Sequence, residues 1–166
     1  MQAPATRNIF KPTRTARFEM PRGHTLVWGT ANPEGMQDSY RGIYLNQSDV
    51  AAMVAQVSAA NHSGQPIPVK LEHSGASLGR VVSAWENQGR LECVLEVDES
   101  TLEGSIGSAF VRSGICKDLS LGYTVDMENS KGGGAQSRSK RLNEVSIVVK
   151  GARRHCHVKG VSAKPY

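Results

Sequence analysis

The chain has 166 residues, 39% of them hydrophobic and 21% charged, with a formal net charge of +5 and three cysteines. That length holds one compact domain whose core needs neither disulfides nor metal. Cys93, Cys116 and Cys156 are odd in number and form no Cys-x-x-Cys pair, which suggests neither a disulfide framework nor a zinc knuckle and fits a reducing compartment. No stretch approaches the roughly 18 to 20 apolar residues that span a bilayer, and the first residues lack the apolar core of a secretory signal. A soluble intracellular protein with no membrane partner is expected.

Residues 1–22 are rich in Thr, Pro and Arg, carry no apolar period, and read as a flexible basic arm ahead of a folded domain over 23–166. Positive charge gathers there, through Arg7, Lys11, Arg14, Arg17 and Arg22, and again over 138–154. The charges are read as lacking an aromatic platform on which bases could stack, so both clusters read as solvated segments and nucleic acid is not an expected partner.

His24 to Ala31 (HTLVWGTA) is a short β-prone run that ends in the turn-rich Asn32, Pro33, Glu34 and Gly35, and is read as the first strand. From Ser48 the period changes. Val50, Met53, Val54 and Val57 fall at i, i+3, i+4 and i+7, which predicts an amphipathic helix with Ser48 as its N-cap and Asp49 in its first turn. Gly64 and Pro66 end it. Three β-prone runs follow, Ile67 to His73, Gly79 to Glu86 and Arg90 to Val97, the last two joined by a hairpin turn at Asn87, Gln88 and Gly89.

Ser100 with Glu103 reads as a capping box for a second helix with Leu102, Ile106, Ala109 and Phe110 on its apolar face, closed by Gly114. Asp118 to Asp126, a Gly/Ser/Lys loop over 128–140, the strand Arg141 to Lys150, and a short run near His157 to Val161 complete the chain. Strands dominate and two helices lie outside them, so the fold class is α+β, mainly β.

Nucleophilic catalysis needs a hydroxyl or thiol, a base within hydrogen-bond reach, and a third group that fixes the base's tautomer. Three segments offer these parts. In KDLSLGYTVD, alternation sends Leu119, Leu121, Tyr123 and Val125 to one face and Asp118, Ser120, Gly122 and Thr124 to the other, so Ser120 sits beside a glycine that leaves room for a substrate. In IPVKLEH, His73 ends a strand on the side of Val69 and Leu71, which would shield its ring. In RLNEVSIVVKGARR, Val145, Ile147 and Val149 form an apolar stripe and leave Glu144 on the opposite face with Ser146 and Val148. Taken singly, each has a plainer reading: a surface serine, a structural histidine, a solvated glutamate.

Together and in this order, however, the segments resemble the herpesvirus capsid maturation proteases and their relatives, the prohead proteases of tailed phages. PIPVKLEHSGASLGRVVSAWENQGRLECVLEVD is similar to the family segment in which a strand ends in the catalytic histidine and a Gly-Arg-Val strand leads into a hairpin; His73 takes that place. DLSLGY resembles the strand around the family nucleophile and supplies Ser120. EVSIVVKGARR resembles the strand of the third triad member followed by a glycine-arginine turn. Glu144 stands where the herpesvirus enzymes have a second histidine, a mild change because a carboxylate orients an imidazole well.

In the turn, Arg153 holds the second arginine's place and Ala152 replaces the first, leaving a backbone donor for the oxyanion. The resemblance covers roughly residues 24–161. It implies a closed β-barrel flanked by helices, and a serine endopeptidase that cleaves a scaffold protein and its own precursor beside the major capsid protein, inside the assembling procapsid. In the herpesvirus enzymes, helices after the glycine-arginine turn form an active dimer. Too few residues follow Val161 to supply them, so a homodimer through that surface is left open. The alternative is a catalytically silent scaffold or capsid-binding module of the same fold.

No cofactor is implied. Gly132 to Gly134 lacks the Gly-Lys-Ser ending of a phosphate loop. His155, Cys156 and His157 invite a metal, but alternation points Cys156 away from its neighbours, and no metal is expected.

Overall fold

The computed structural model describes residues 23–33, 42–129 and 135–163, so the basic arm and the Gly132 to Gly134 stretch lie outside it. In chain order it contains β1 (His24–Asn32), α1 (Gln47–His62), β2 (Pro68–Leu71), β3 (Ser74–Asn87), β4 (Arg90–Asp98), α2 (Leu102–Arg112), β5 (Asp118–Asn129), β6 (Ala135–Val148) and β7 (Val158–Val161). The strands form one mixed sheet in the order β5-β6-β2-β3-β4-β1-β7. Its pairs are antiparallel except β2 with β6, which run parallel.

Among the described residues the closed barrel implied by the resemblance is not formed. The edge strands β5 and β7 approach only at one end, where Asp118 and His157 form an isolated bridge. There the Leu119 N–H donates to the Cys156 carbonyl at 2.8 Å and the Val158 N–H to the Lys117 carbonyl at 2.9 Å. β7 has four residues and spends its pairing on β1, so no ladder runs along the rest of β5.

Alternating apolar residues build the core. Val27, Val69, Val81, Leu95, Leu119 and Ile147 are fully buried, each such burial contributing about 1.5–3 kcal/mol. Val50, Met53 and Val57 of α1 are buried with them, as the helical period requires. α1 begins earlier than Ser48 suggests, because Asn46 is the cap. Its side chain accepts from the Asp49 N–H at 2.9 Å while the Asp49 carboxylate accepts from the Asn46 N–H at 2.9 Å.

α2 departs further from expectation. Its cap is Thr101, which accepts from the Gly104 N–H at 3.0 Å, whereas Ser100 is held by Asp98. Its buried face is Gly104, Gly107, Ser108 and Val111, and the expected apolar residues Leu102 and Ile106 are 72% and 39% exposed. Close approach decides the orientation. A Cβ at Gly104 would lie 1.8 Å from the Asp98 carbonyl oxygen, and one at Gly107 would lie 2.8 Å from Leu78 Cδ1.

The β5–β6 hairpin is longer than the sequence suggested, pairing from Asp118 with Val148 out to Asn129 with Ala135, so much of the expected 128–140 loop is strand. Its inner half positions the site: Leu119 pairs with Ile147 and Leu121 with Val145 on the core face, while Ser120 pairs with Ser146 and Gly122 with Glu144 on the other.

Candidate active site

The turn between β2 and β3 carries the base candidate. His73 does not end a strand beside Val69 and Leu71: β2 stops at Leu71, which pairs with Ser74, leaving Glu72 and His73 as a two-residue loop. Both adopt positive φ, 51° and 56°, a conformation costing a non-glycine residue roughly 1–2 kcal/mol. The loop is pinned to the end of β6. The Glu72 N–H donates to the Ile147 carbonyl at 3.1 Å, the Val149 N–H donates to Glu72 Oε1 at 2.5 Å, and the His73 N–H donates to Ser146 Oγ at 3.1 Å. The His73 side chain is 41% exposed, so polar bonds rather than an apolar shield hold the ring.

Those bonds bring the three sequence candidates together. His73 Nε2 lies 2.9 Å from Ser120 Oγ, and His73 Nδ1 is hydrogen-bonded to Glu144 Oε1. An ionised carboxylate only accepts, so Nδ1 carries the ring proton and Nε2 is left to accept from the Ser120 hydroxyl. Ser120 and Glu144 are both buried.

Gly122 lines the cleft beside Ser120 and also serves a second end. A Cβ there would lie 2.1 Å from Glu144 Oε1 and 2.6 Å from its Cδ, so the missing side chain makes room for the carboxylate. Ser146, fully buried, donates its hydroxyl to Glu144 Oε2 at 2.6 Å. Sequence reading put Ser146 on the face of Glu144 and gave it no role. The two-residue alternation is the signal that could have found it.

The turn after β6 stands on the other side of Ser120. Ala152 is exposed on the cleft, whereas Arg153 is buried and commits its Nη2 to the Ile43 carbonyl at 3.0 Å and the Tyr123 hydroxyl at 2.7 Å. The guanidinium also sits 5.6 Å from the Tyr123 ring centroid. Asp118 anchors the turn's start, accepting from the Gly151 N–H at 2.9 Å with one oxygen while the other pairs with His157 Nδ1 at 2.7 Å. Between turn and triad lies a cleft of about 600 Å³, walled by Ile43, Leu121, Tyr123, Val125 and Val148, with Glu72 and Lys150 among its charged lining.

His155 and His157 meet edge-to-face 6.2 Å apart, while Cys156 is buried and its thiol faces the Ala31 carbonyl. Among the described residues no group of three or more His, Cys, Asp and Glu gathers as a metal site. All three cysteines are buried and none is in a disulfide. Burial, then the neighbouring Glu92 and Cys156, pushes the Cys93 thiol up to about 12.

No protein-family model matches the chain, and no curated protein matches it. Solved structures do. The protease of Kaposi's sarcoma-associated herpesvirus (KSHV) in complex with a hexapeptide phosphonate inhibitor superposes with a TM-score of 0.53 at 13% identity, over 84% of this chain and 65% of that one. The fold is herpesvirus-protease-like. A second structure of that protease, with an allosteric inhibitor, gives a TM-score of 0.46 at 16% identity over 86% and 77% of the two chains. The chain thus spans about two thirds of the length of the first of these. At such identities the likeness is one of fold.

Proposed function

We propose that this protein is a serine endopeptidase in which Ser120 is the nucleophile, His73 the general base and Glu144 the group that orients and charge-balances the imidazole. One observation carries the reading: a serine hydroxyl 2.9 Å from an imidazole nitrogen whose partner nitrogen is bonded to a buried carboxylate, at the edge of a cleft. Ser120 Oγ attacks the scissile carbonyl carbon as its proton passes to His73 Nε2. The imidazolium is stabilised by Glu144, and the tetrahedral oxyanion by backbone N–H groups at Ala152 and Arg153, with the Arg153 side chain bracing the turn. His73 then protonates the leaving amine, and water hydrolyses the acyl-enzyme by the same route in reverse.

The substrate in this reading is an internal scaffold protein and the enzyme's own precursor, cut within an assembling capsid beside the major capsid protein. The apolar walls and open shape of the cleft suit a peptide segment, and the herpesvirus-protease-like fold adds support. The test is digestion of a diverse synthetic peptide mixture by the wild-type chain and by Ser120→Ala, read by mass spectrometry. New termini that appear with wild type alone are expected. Products formed equally by both would refute the assignment, and products from neither at high protein concentration would favour a silent module.

A further inference from the structure

We infer that Ser146 is a positioning residue for His73, fixing the imidazole at both its backbone and its ring; the effect on rate rests on the peptidase reading above, the geometric effect does not. Its single hydroxyl stands at a junction. It donates to Glu144 Oε2 at 2.6 Å and accepts from the His73 N–H at 3.1 Å, while Glu144 Oε1 takes the His73 ring. The bonds close a loop from the His73 side chain through Glu144 and Ser146 back to the His73 main chain.

Three features make such a fastening necessary at this position. His73 lies in a two-residue turn at φ 56°, so no strand ladder holds its backbone. Its side chain is 41% exposed, so packing does not fix the ring from outside. Glu144 has a flexible stem, and one oxygen bonded to the ring leaves the carboxylate free to rotate unless the second oxygen is also held. Ser146 is placed to do both, because it pairs with Ser120 across β5–β6 and with Lys70 across β2–β6, between the nucleophile's strand and the strand that leads into the turn.

A buried serine that merely satisfied its own hydrogen bonds would affect stability and leave the imidazole where it is. The two roles separate in an experiment on the full chain with ¹⁵N-labelled histidine, comparing wild type, Ser146→Ala and Ser146→Thr. In wild type the Nδ1–H of His73, bonded to Glu144, is expected as a slowly exchanging, far-downfield proton resonance. Ser146→Ala should fold, lose that resonance to exchange with water, and react with a fluorophosphonate about 10- to 100-fold more slowly. Ser146→Thr, which keeps the hydroxyl, should restore both. A folded Ser146→Ala that keeps the resonance and the wild-type labelling rate overturns the inference, as does a wild-type protein without the resonance. If the wild type shows the resonance but is never labelled, the peptidase reading fails, and the resonance comparison still decides the role of Ser146.

Discussion

Replacing Gly122 by alanine puts one methyl group where the Glu144 carboxylate stands. The added carbon would lie 2.1 Å from Oε1, 2.6 Å from Cδ and 2.8 Å from Cγ, against the 3.4 Å at which ordinary contact begins. The backbone of β5 is fixed by its ladder to β6, so the flexible glutamate gives way and must move by more than about 1 Å. That displacement breaks its bonds to the His73 ring and to the Ser146 hydroxyl. Charge-assisted bonds contribute about 1.5–3 kcal/mol each, but the displaced carboxylate regains water beside the half-exposed His73, and alanine gains about 0.5–1 kcal/mol over glycine in a strand. The net loss of stability is therefore about 1–2 kcal/mol, a fall of a few degrees in Tm. The rate should suffer far more. An imidazole without its orienting carboxylate loses about 10²- to 10⁴-fold in nucleophile activation. Second-order fluorophosphonate labelling kinetics beside a thermal melt separate the two effects. A Gly122→Ala protein that melts normally and labels at the wild-type rate would show that Glu144 does not act through His73.

Three further outcomes follow from the same geometry. Glu72→Gly removes one of the two strained residues, which offsets the loss of the Val149 N–H acceptor, so Tm should stay within a few degrees of wild type while labelling slows because the His73 turn keeps only two of its three bonds to the end of β6. Equal labelling at equal Tm would refute that linkage. Asp49→Ala leaves Lys140 buried without the carboxylate that meets its Nζ at 2.8 Å and removes half of the α1 capping box, so urea denaturation should show a loss of about 3–5 kcal/mol. The Cys93 thiol, with a pKa of about 12 in the fold against about 9 for the free group, keeps its proton after the unfolded chain has released its own. Its contribution to stability is thus fully present below about pH 9 and is lost as pH rises towards about 12, so the urea midpoint should fall less steeply over that range in Cys93→Ala.

The parts of the site that lie on strands were legible because a two-residue period says which side chains share a face. That period put Ser120 and Gly122 on one side of KDLSLGYTVD, and Glu144 and Ser146 on one side of RLNEVSIVVK, and the hairpin register then set the two pairs opposite each other. His73 was found as a residue but misplaced, since consecutive positive φ values at Glu72 and His73 run against the preference of both side chains and are imposed by bonds to β6 that no local pattern encodes. The buried face of α2 was misread for a related reason. Apolar content favoured Leu102 and Ile106, whereas packing distance selected the glycines. Barrel closure depends on how long the last strand is and what it pairs with, and β7 is too short to complete it.

The central claim is that Ser120 is an activated nucleophile, and the most direct measurement is reaction of the purified chain with a fluorophosphonate, read by intact mass and peptide mapping beside His73→Ala and Glu144→Gln. A single adduct confined to Ser120, abolished without His73 and slowed with Glu144→Gln, is the result expected from the hydrogen bonds that join these residues. Adducts scattered over other serines, or an adduct on Ser120 that forms as fast without His73, would contradict it.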